Sequence, residues 1–419
     1  MRIPDGVRAS VNVLLCLAAV VGTVWSGRVI WQVWDARRQI DEACAGLVPA
    51  GRVLALSPAG GTIEHRQADE GTIQLNDLAA GQDCEIFSTE AGEKYGTDSG
   101  ERWFFTGAVG VLPPESATVA DDPWQELVDP FGHRTYPAQP LGSGIAGLVT
   151  DSGVVVQLPC PEGRASGRPV QALWARAELY DPGPPFTDKG QLSAHDRDVL
   201  ADTAVRTANN LAGRLGCADR LPPAPEHVPA LTEGPVPAAR AQGTCAWYGK
   251  ADYARQSRYP DLVLESRTDA RLWDERCALV LSEGRASGLY LSSADDHDLP
   301  VEPRRPGQWF VSLHTYSGED AKHVQLTSTD FDEAPEPAAP GKAGRSREEP
   351  VWFASSVCRG QPQIHTMTIA YSYDRLMAPE MAKVFRAYVD DVVERRGCTQ
   401  VTFPPAADFR PDRDGTPGG

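Results

Sequence analysis

The sequence predicts an α+β protein: an N-terminal transmembrane helix followed by two related units, each a mainly antiparallel sheet with a C-terminal helix. Three observations predict it. An apolar run opens the chain, eight widely spaced cysteines follow it, and an ordered set of short motifs occurs twice. Strands that precede a single helix in each unit favour α+β over a doubly wound order.

The apolar run Ala9–Trp25 reads ASVNVLLCLAAVVGTVW and is polar only at Ser10, Asn12 and Thr23. Crossing ~30 Å of hydrocarbon takes roughly 20 helical residues. Ser26-Gly27-Arg28 interrupts the run and Val29–Trp34 resumes it, which gives spare length. Arg28 suits a snorkelling position, and Trp25, Trp31 and Trp34 suit an interfacial aromatic belt. Residues 1–8 then form a cytoplasmic stub, and 9–34 the transmembrane anchor and interfacial segment. A signal peptide cleaved at Val24-Trp25-Ser26 is the competing reading, and a buried soluble helix is the third. Leu15 stands where lipoprotein processing at Cys16 needs a small residue. Charge leans weakly against export, because Arg28, Arg37 and Arg38 follow the run while Arg2 and Arg8 precede it.

Cysteine usage decides the side. Of nine cysteines, Cys16 lies in the apolar run and eight remain: Cys44, Cys84, Cys160, Cys217, Cys245, Cys277, Cys358 and Cys398. No CxxC pair occurs, so zinc ribbons, thioredoxin-type sites and iron–sulfur clusters lack their spacing. An even set of widely spaced cysteines beyond an export signal reads as four disulfides in an oxidising compartment. Eight buried free thiols in a cytosolic body are the alternative. Localisation is therefore expected at the cell membrane, single-pass, with the C-terminal body extracytoplasmic.

The body reads as a duplication. Gly167, Pro169, Tyr180 and Asp181 match Gly360, Pro362, Tyr373 and Asp374 at one constant offset. A cysteine precedes each set (Cys160, Cys358), and a helical segment ending in Gly216-Cys217 or Gly397-Cys398 comes after it. Upstream, Cys84 in DCEIF resembles Cys245 in TCAWY, and Trp103-Phe104 resembles Trp309-Phe310. Unit 1 spans 40–217 and unit 2 spans 218–403. Equivalence suggests bridges Cys160–Cys217 and Cys358–Cys398, completed by Cys44–Cys84 and Cys245–Cys277. A second arrangement stays open. CADRLP at Cys217 resembles CAGLVP at Cys44, which would pair Cys217 with Cys245 and leave Cys160 and Cys277 to bridge the units. The phrase EGRASG also occurs twice, at Glu162–Gly167 and Glu283–Gly288, in non-equivalent places.

Two helices stand out. Leu200, Ala204, Ala208, Leu211 and Leu215 form a helical stripe over Ala194–Leu215, with Ser193 as N-cap and Gly216 as the left-handed exit. Met381, Phe385, Tyr388 and Val392 do the same from Pro379, at a first helical position, to Arg396. Strands are expected at Gly153–Pro159, Val170–Tyr180, Trp309–His314, Trp352–Val357 and Ile364–Tyr373. Leu221–Gly243 reads as the inter-unit connection, Glu333–Pro350 as a mobile loop, and 404–419 as a disordered tail.

Composition narrows the function. Apolar residues make up 41% and charged residues 23% of 419 residues, ordinary for a folded soluble body. A net charge of −17 repels phosphate backbones, so no nucleic-acid partner is expected. The G-x-S-x-G elbow, S-x-x-K, H-E-x-x-H and Walker A motifs are all absent. Asp295-Asp296-His297-Asp298 reads as a solvated loop and His195-Asp196-Arg197-Asp198 as a charged first helical turn. Asp408, Asp412, Asp414 and Gly415 lack EF-hand spacing. Trp103, Phe104, Trp309 and Phe310 suit packing better than carbohydrate platforms. No catalytic, cofactor-binding or metal residue is assigned, and no cofactor is expected.

The anchor, the arginine-rich bias (only six of 40 basic residues are Lys) and the repeated cysteine–helix–Gly-Cys pattern over residues 40–403 resemble single-span, tandem-unit, disulfide-containing envelope proteins of high-GC actinobacteria. That resemblance implies a membrane-anchored extracytoplasmic protein without an assigned activity. The leading expectation is a non-enzymatic binding or scaffolding module of the cell envelope with a protein or glycan partner. The alternative is a secreted hydrolase with a nonstandard site, in which a Ser or carboxylate meets one of the eight histidines.

Overall fold

The computed structural model describes residues 5–57, 59–65, 71–91, 93–94, 102–112, 118–119, 137–180, 192–293, 309–326, 336–347 and 349–410. Helix α1 (Asp5–Ala43) runs for 39 residues, about 58 Å at the α-helical rise. Ser26-Gly27-Arg28, which interrupts the apolar run in sequence, continues the helix. A lone glycine costs only ~1 kcal/mol against alanine, too little to end so long a helix. The apolar stretch within Asn12–Ala43 reaches a mean hydropathy of 2.0 and is wholly unburied, so it is long and apolar enough to cross a membrane. Apart from Leu291 and Val401, every exposed large apolar side chain among the described residues lies on α1 between Val13 and Trp34. The end of the same helix belongs to the body. Ala36, Ile40 and Ala43 are buried where α1 meets helix α2 (Ala50–Val53) and strands β1 (Ile63–His65) and β2 (Gln82–Ser88).

The first sheet is antiparallel and also contains β3 (Glu93–Lys94) and β4 (Arg102–Leu112). Strand β5 (Thr118–Val119) lies outside it. The sheet continues with β6 (Gln139–Gly142), β7 (Ile145–Val149) and β8 (Gly153–Pro159). A small hairpin, β9 (Arg164–Ala165) and β10 (Arg168–Pro169), leads into β11 (Ala172–Leu179). The order is β1-β2-β4-β11-β8-β7-β6, with β3 on β4. Helix α3 (Ala194–Leu215) packs on β11 and β8. Ser193 accepts the Asp196 amide as N-cap, and Gly216 exits at φ +76°, as its sequence requires.

The second sheet is built the same way from β12 (Val236–Pro237), β13 (Leu262–Glu265), β14 (Asp274–Val280) and β15 (Phe310–Ser317). Helices α4 (Ala246–Lys250) and α5 (Glu283–Ser292) lie between these strands in sequence. Strand β16 (Val324–Gln325) pairs in parallel with β5. The sheet closes with β17 (Gly344–Arg345), β18 (Val351–Cys358) and β19 (Gln361–Ile369). Helix α6 (Tyr371–Arg396) and strand β20 (Cys398–Thr402) complete the unit. The order is β12-β13-β14-β15-β19-β18-β17, with β20 on β18. The two sheets meet through β5 and β16 and through side chains. Gln139 Nε2 donates to the Glu265 carbonyl at 3.1 Å, and its Oε1 accepts the Arg267 amide at 2.9 Å. Gln157 Nε2 donates to Asp320 Oδ2 at 3.1 Å.

Several sequence expectations change. Helix α6 starts at Tyr371, so Pro379 lies inside it rather than at its first position, and 371–373 are helix rather than strand. Tyr373, Met377 and Ala378 are buried by those first two turns, which offsets the hydrogen bond that an internal proline removes. The start of the expected disordered tail is anchored: within 404–410 Pro404 and Phe409 are buried, and Phe409 stacks on Trp352 at 5.7 Å between centroids. Part of the expected mobile loop is anchored, since Ala338 is buried and β17 pairs with β18. Cys84 lies on β2, whereas Cys245 precedes α4 outside the sheet. By strand order the position of Cys84 corresponds to that of Cys277 on β14, so the motif match placed this cysteine one element early. The two Tyr-Asp matches also part company: Tyr180 ends a strand, while Tyr373 and Asp374 begin a helix. Residues Asp181, Asp295–Asp298, Asp412, Asp414 and Gly415 lie outside the described residues.

Backbone proximity makes one substitution diagnostic. A Cβ at Gly153, where β8 pairs with β11, would collide with the Ala177 carbonyl oxygen and Glu178. Gly153→Ala is expected to cost about 1–3 kcal/mol. Urea unfolding of the detergent-solubilised full chain should show a lower midpoint at unchanged slope.

Candidate functional site

All eight body cysteines are in disulfides: Cys44–Cys84, Cys160–Cys217, Cys245–Cys277 and Cys358–Cys398. The arrangement in which Cys217 pairs with Cys245 does not form. Each bridge joins a helix terminus to the sheet beneath it. Cys44 ends α1 and reaches β2, Cys217 follows α3 and reaches the end of β8, Cys245 precedes α4 and reaches β14, and Cys398 follows α6 and reaches β18. Cys16 is free and exposed on α1.

The polar chemistry of the body concentrates in the second sheet. Strand β15 reads FVSLHTYS and is buried on both faces except at its last residue. Its alternation sends Ser312, His314 and Tyr316 to one face and Val311, Leu313 and Thr315 to the other. On the first face three side chains form a line. Ser312 Oγ lies 3.1 Å from His314 Nε2, and His314 Nδ1 lies 2.9 Å from Asp274 Oδ1. Arg276 Nε donates to Asp274 Oδ2 at 2.7 Å. Burial pushes the Asp274 carboxyl up, but the Arg276 charge and the His314 contact outweigh it and hold the group well below the usual carboxylate range.

The opposite face carries a second line under α6. Ser356 Oγ lies 2.9 Å from His365 Nε2, His365 Nδ1 lies 2.9 Å from Thr315 Oγ1, and Thr315 Oγ1 lies 2.8 Å from the Tyr388 hydroxyl. Burial, reinforced by the Arg396 charge, lowers the His365 pKa from 6.5 to about 3, so its imidazole is neutral in the fold. Burial raises the Tyr388 hydroxyl pKa. Beside this line Glu275, fully buried, accepts Arg395 Nη2 at 2.6 Å and Arg396 Nη2 at 3.0 Å. Burial alone would raise Glu275, and the two guanidinium groups reverse the direction.

The Ser312–His314–Asp274 line has the connectivity of an acyl-transfer triad, but its access differs from one. Ser312 has no exposed surface and His314 is buried. The nearby cavity, at the contact with Pro137 and Leu148, holds about 10 Å³ and touches Asp274 and Arg276 but neither Ser312 nor His314. That is room for about one water. In this conformation the line fixes a proton position and a side-chain geometry within the core.

Other expected residues take structural positions. Asp196 accepts the Ser57 amide at 2.8 Å and Asp198 the Val228 amide at 2.7 Å, so this acidic cluster fastens loops to α3. Phe104, Trp309 and Phe310 are buried, and Trp103 stacks on Tyr180 at 4.6 Å, the packing roles expected of them. Among the described residues no three His, Cys, Asp or Glu side chains converge as a metal site. Sequence reasoning missed the two histidine lines. The Ser-x-His spacing at 312–314 was a legible signal, but Asp274 joins it only through the β14–β15 register, where Arg276 faces His314. No family model matches this chain, and no curated protein or solved structure matches it either.

The low His365 pKa has a pH consequence. The unfolded state takes up a proton near pH 6.5 that the fold refuses down to about pH 3. Stability from this group is therefore complete above pH 6.5 and is lost as pH falls toward 3, at up to about 1.4 kcal/mol per unit. Chemical denaturation from pH 7 to 4 should show this slope in the native protein, and a shallower one in His365→Gln.

Proposed function

We propose that this chain is a membrane-anchored extracytoplasmic protein whose two sheet-and-helix units are related by duplication and serve as a non-enzymatic binding or scaffolding module of the cell envelope. The observation that carries this reading is the continuity of α1. Its exposed apolar part passes without a break into a core whose cysteines are all bridged. Cytosolic thiols stay reduced, so four bridges beyond an apolar N-terminal helix favour the oxidising side. Cleavage at Val24-Trp25-Ser26 would leave Ala36, Ile40 and Ala43 in the core of the first unit, so the packing of this helix end is common to both readings of the segment before it.

Relatedness of the units is supported by equivalent strand orders. The series β1-β2-β4-β11-β8-β7 corresponds to β13-β14-β15-β19-β18-β17. In each, the third and fourth strands of the series close with a matching bond: the Tyr180 amide to the Phe104 carbonyl, and the Ala370 amide to the Phe310 carbonyl. The bridges match as well, with Cys44–Cys84 opposite Cys245–Cys277 and Cys160–Cys217 opposite Cys358–Cys398. The partner class is an envelope protein or glycan.

Membrane-impermeant maleimide and protease applied to intact cells test the topology. Proteolysis of the body from outside, and thiol labelling there only after reduction, are expected. Reduced body thiols shielded behind the bilayer would overturn it. Reciprocal pulldown from envelope extracts tests the binding role, and repeated recovery of the chain alone as a monomer would count against it.

The Ser312–His314–Asp274 line favours a second reading, a hydrolase that opens at the contact between the sheets. It predicts covalent labelling of the native protein by a fluorophosphonate, lost in Ser312→Ala. No labelling at any serine removes it.

A further inference from the structure

We propose that the Cys358–Cys398 bridge is a redox-operated clasp on the carboxyl-terminal strand, opened by an extracytoplasmic protein dithiol while the other three bridges stay closed. Its position differs from theirs. Cys44, Cys84, Cys245 and Cys277 have no exposed surface, and Cys160 and Cys217 are both buried. Cys398 is half-buried, on a strand whose residues are otherwise exposed or half-exposed. Cys358 and Cys398 sit directly opposite one another on antiparallel β18 and β20. Among the described strands β20 pairs with β18 alone. A bridge near the surface at a sheet margin meets an attacking thiolate more readily than one inside a core.

The two sulfurs are not equivalent. Cys398 is the accessible one. Cys358 Sγ lies 3.9 Å from Ser356 Oγ, at the end of the line Tyr388–Thr315–His365–Ser356. The neutral imidazole lets this line run in one sense. We place the imidazole proton on Nε2: Tyr388 then donates to Thr315, Thr315 to His365 Nδ1, His365 Nε2–H to Ser356, and the Ser356 hydroxyl is left for Cys358 Sγ. The incoming thiolate attacks Cys398 Sγ and a mixed disulfide forms there. The Cys358–Cys398 bond breaks, and its electron pair leaves on Cys358 Sγ, where the Ser356 hydroxyl stabilises it until solvent protonates it. The second thiol of the reductant, as thiolate, then attacks its own sulfur in the mixed disulfide and releases Cys398, which is also protonated. The bridge gains two electrons and two protons, and the dithiol becomes a disulfide.

Opening is local because the segment beyond β20 is held independently. Phe403 packs on Phe385 at 5.2 Å between centroids, Phe409 stacks on Trp352, and Trp352 Nε1 donates to the Asp408 carbonyl at 2.9 Å. Loss of the bridge frees Cys398–Thr402 and uncovers the backbone edge of β18 at Ser355 and Val357, the kind of edge on which another strand pairs.

The test uses the full chain in detergent with Cys16 blocked in advance. Graded dithiothreitol or reduced thioredoxin, quenching with N-ethylmaleimide and peptide mass spectrometry give the order of opening. Cys358 and Cys398 should be labelled at least tenfold faster than the other six. Amide exchange should rise at 398–402 while near-UV circular dichroism persists. Ser356→Ala, compared with the native chain at matched near-UV circular dichroism, should slow opening several-fold. Simultaneous or later opening relative to any other bridge, collapse of the near-UV signal on opening, or an unchanged rate in Ser356→Ala would overturn the proposal. The extracytoplasmic reading enters only in naming the reductant, and the order of opening in vitro is independent of it.

Discussion

Every bridge in this protein ties a cysteine beside a helix terminus to the sheet or its margin, and the architecture depends on that constraint. A helix lying on a sheet is held by its apolar stripe, and its ends fray because their backbone groups lack partners. Here α1, α3 and α6 each end in a cysteine bound to the sheet, and α4 begins with one. The bridge at Cys44 matters most for the whole molecule. It joins the end of a helix long enough to cross a membrane to the second strand of the first sheet. The exposed apolar stretch of α1 and the helix end packed in the first unit are therefore parts of one continuous helix.

The two sheets share an order of strands but not a chemistry. The first is built from Val, Leu, Ala and Phe, with Ser88, Thr106 and Gln139 as its buried polar side chains. The second buries Asp274, Glu275, His314 and His365 with several Ser and Thr. Buried charge is tolerated there because each carboxylate meets cations: Arg276 at Asp274, and Arg395 and Arg396 at Glu275. Arg395 and Arg396 also close the last turn of α6, where positive charge complements the helix dipole. Burying an ion pair costs desolvation that its attraction only offsets when further hydrogen bonds satisfy the pair, so such a network is weak evidence of net stability. Among the described residues the sheets differ in buried charge: the buried charges of the first unit, Asp196 and Arg197, lie on α3 and not in its strands.

What the two polar lines can do chemically is constrained by access. The Ser312–His314–Asp274 line has polar connectivity without a substrate cavity, whereas the Ser356–His365–Thr315–Tyr388 line ends at the buried Cys358, whose disulfide partner Cys398 is half-buried. Both arise from β-strand alternation, which places polar side chains two residues apart on one face. A serine–histidine contact on a strand is thus a product of local geometry, and the surroundings of its two ends decide what it can do.

The sequence alone determined the features that depend on local pattern. These are the apolar helix, the two amphipathic helices, most strand positions around Cys160 and Cys358, and an even cysteine set. Composition, periodicity and capping act over a few residues and survive being read in one dimension. Pairing across the sheet lies outside that range, so Asp274 could not be joined to His314, nor Cys84 matched with Cys277. The duplicated hexapeptide EGRASG makes the point within one chain. At Glu162–Gly167 it forms the hairpin of β9, where Gly163 sits so close to the Cys160 sulfur that a Cβ would not fit. At Glu283–Gly288 it opens helix α5, where Asp261 holds the preceding Ser282 and Arg285 donates to the Ala254 and Tyr259 carbonyls. Six identical residues adopt two conformations because their intrinsic preferences differ by less than the disulfide, carboxylate and backbone contacts that the rest of the fold brings to them.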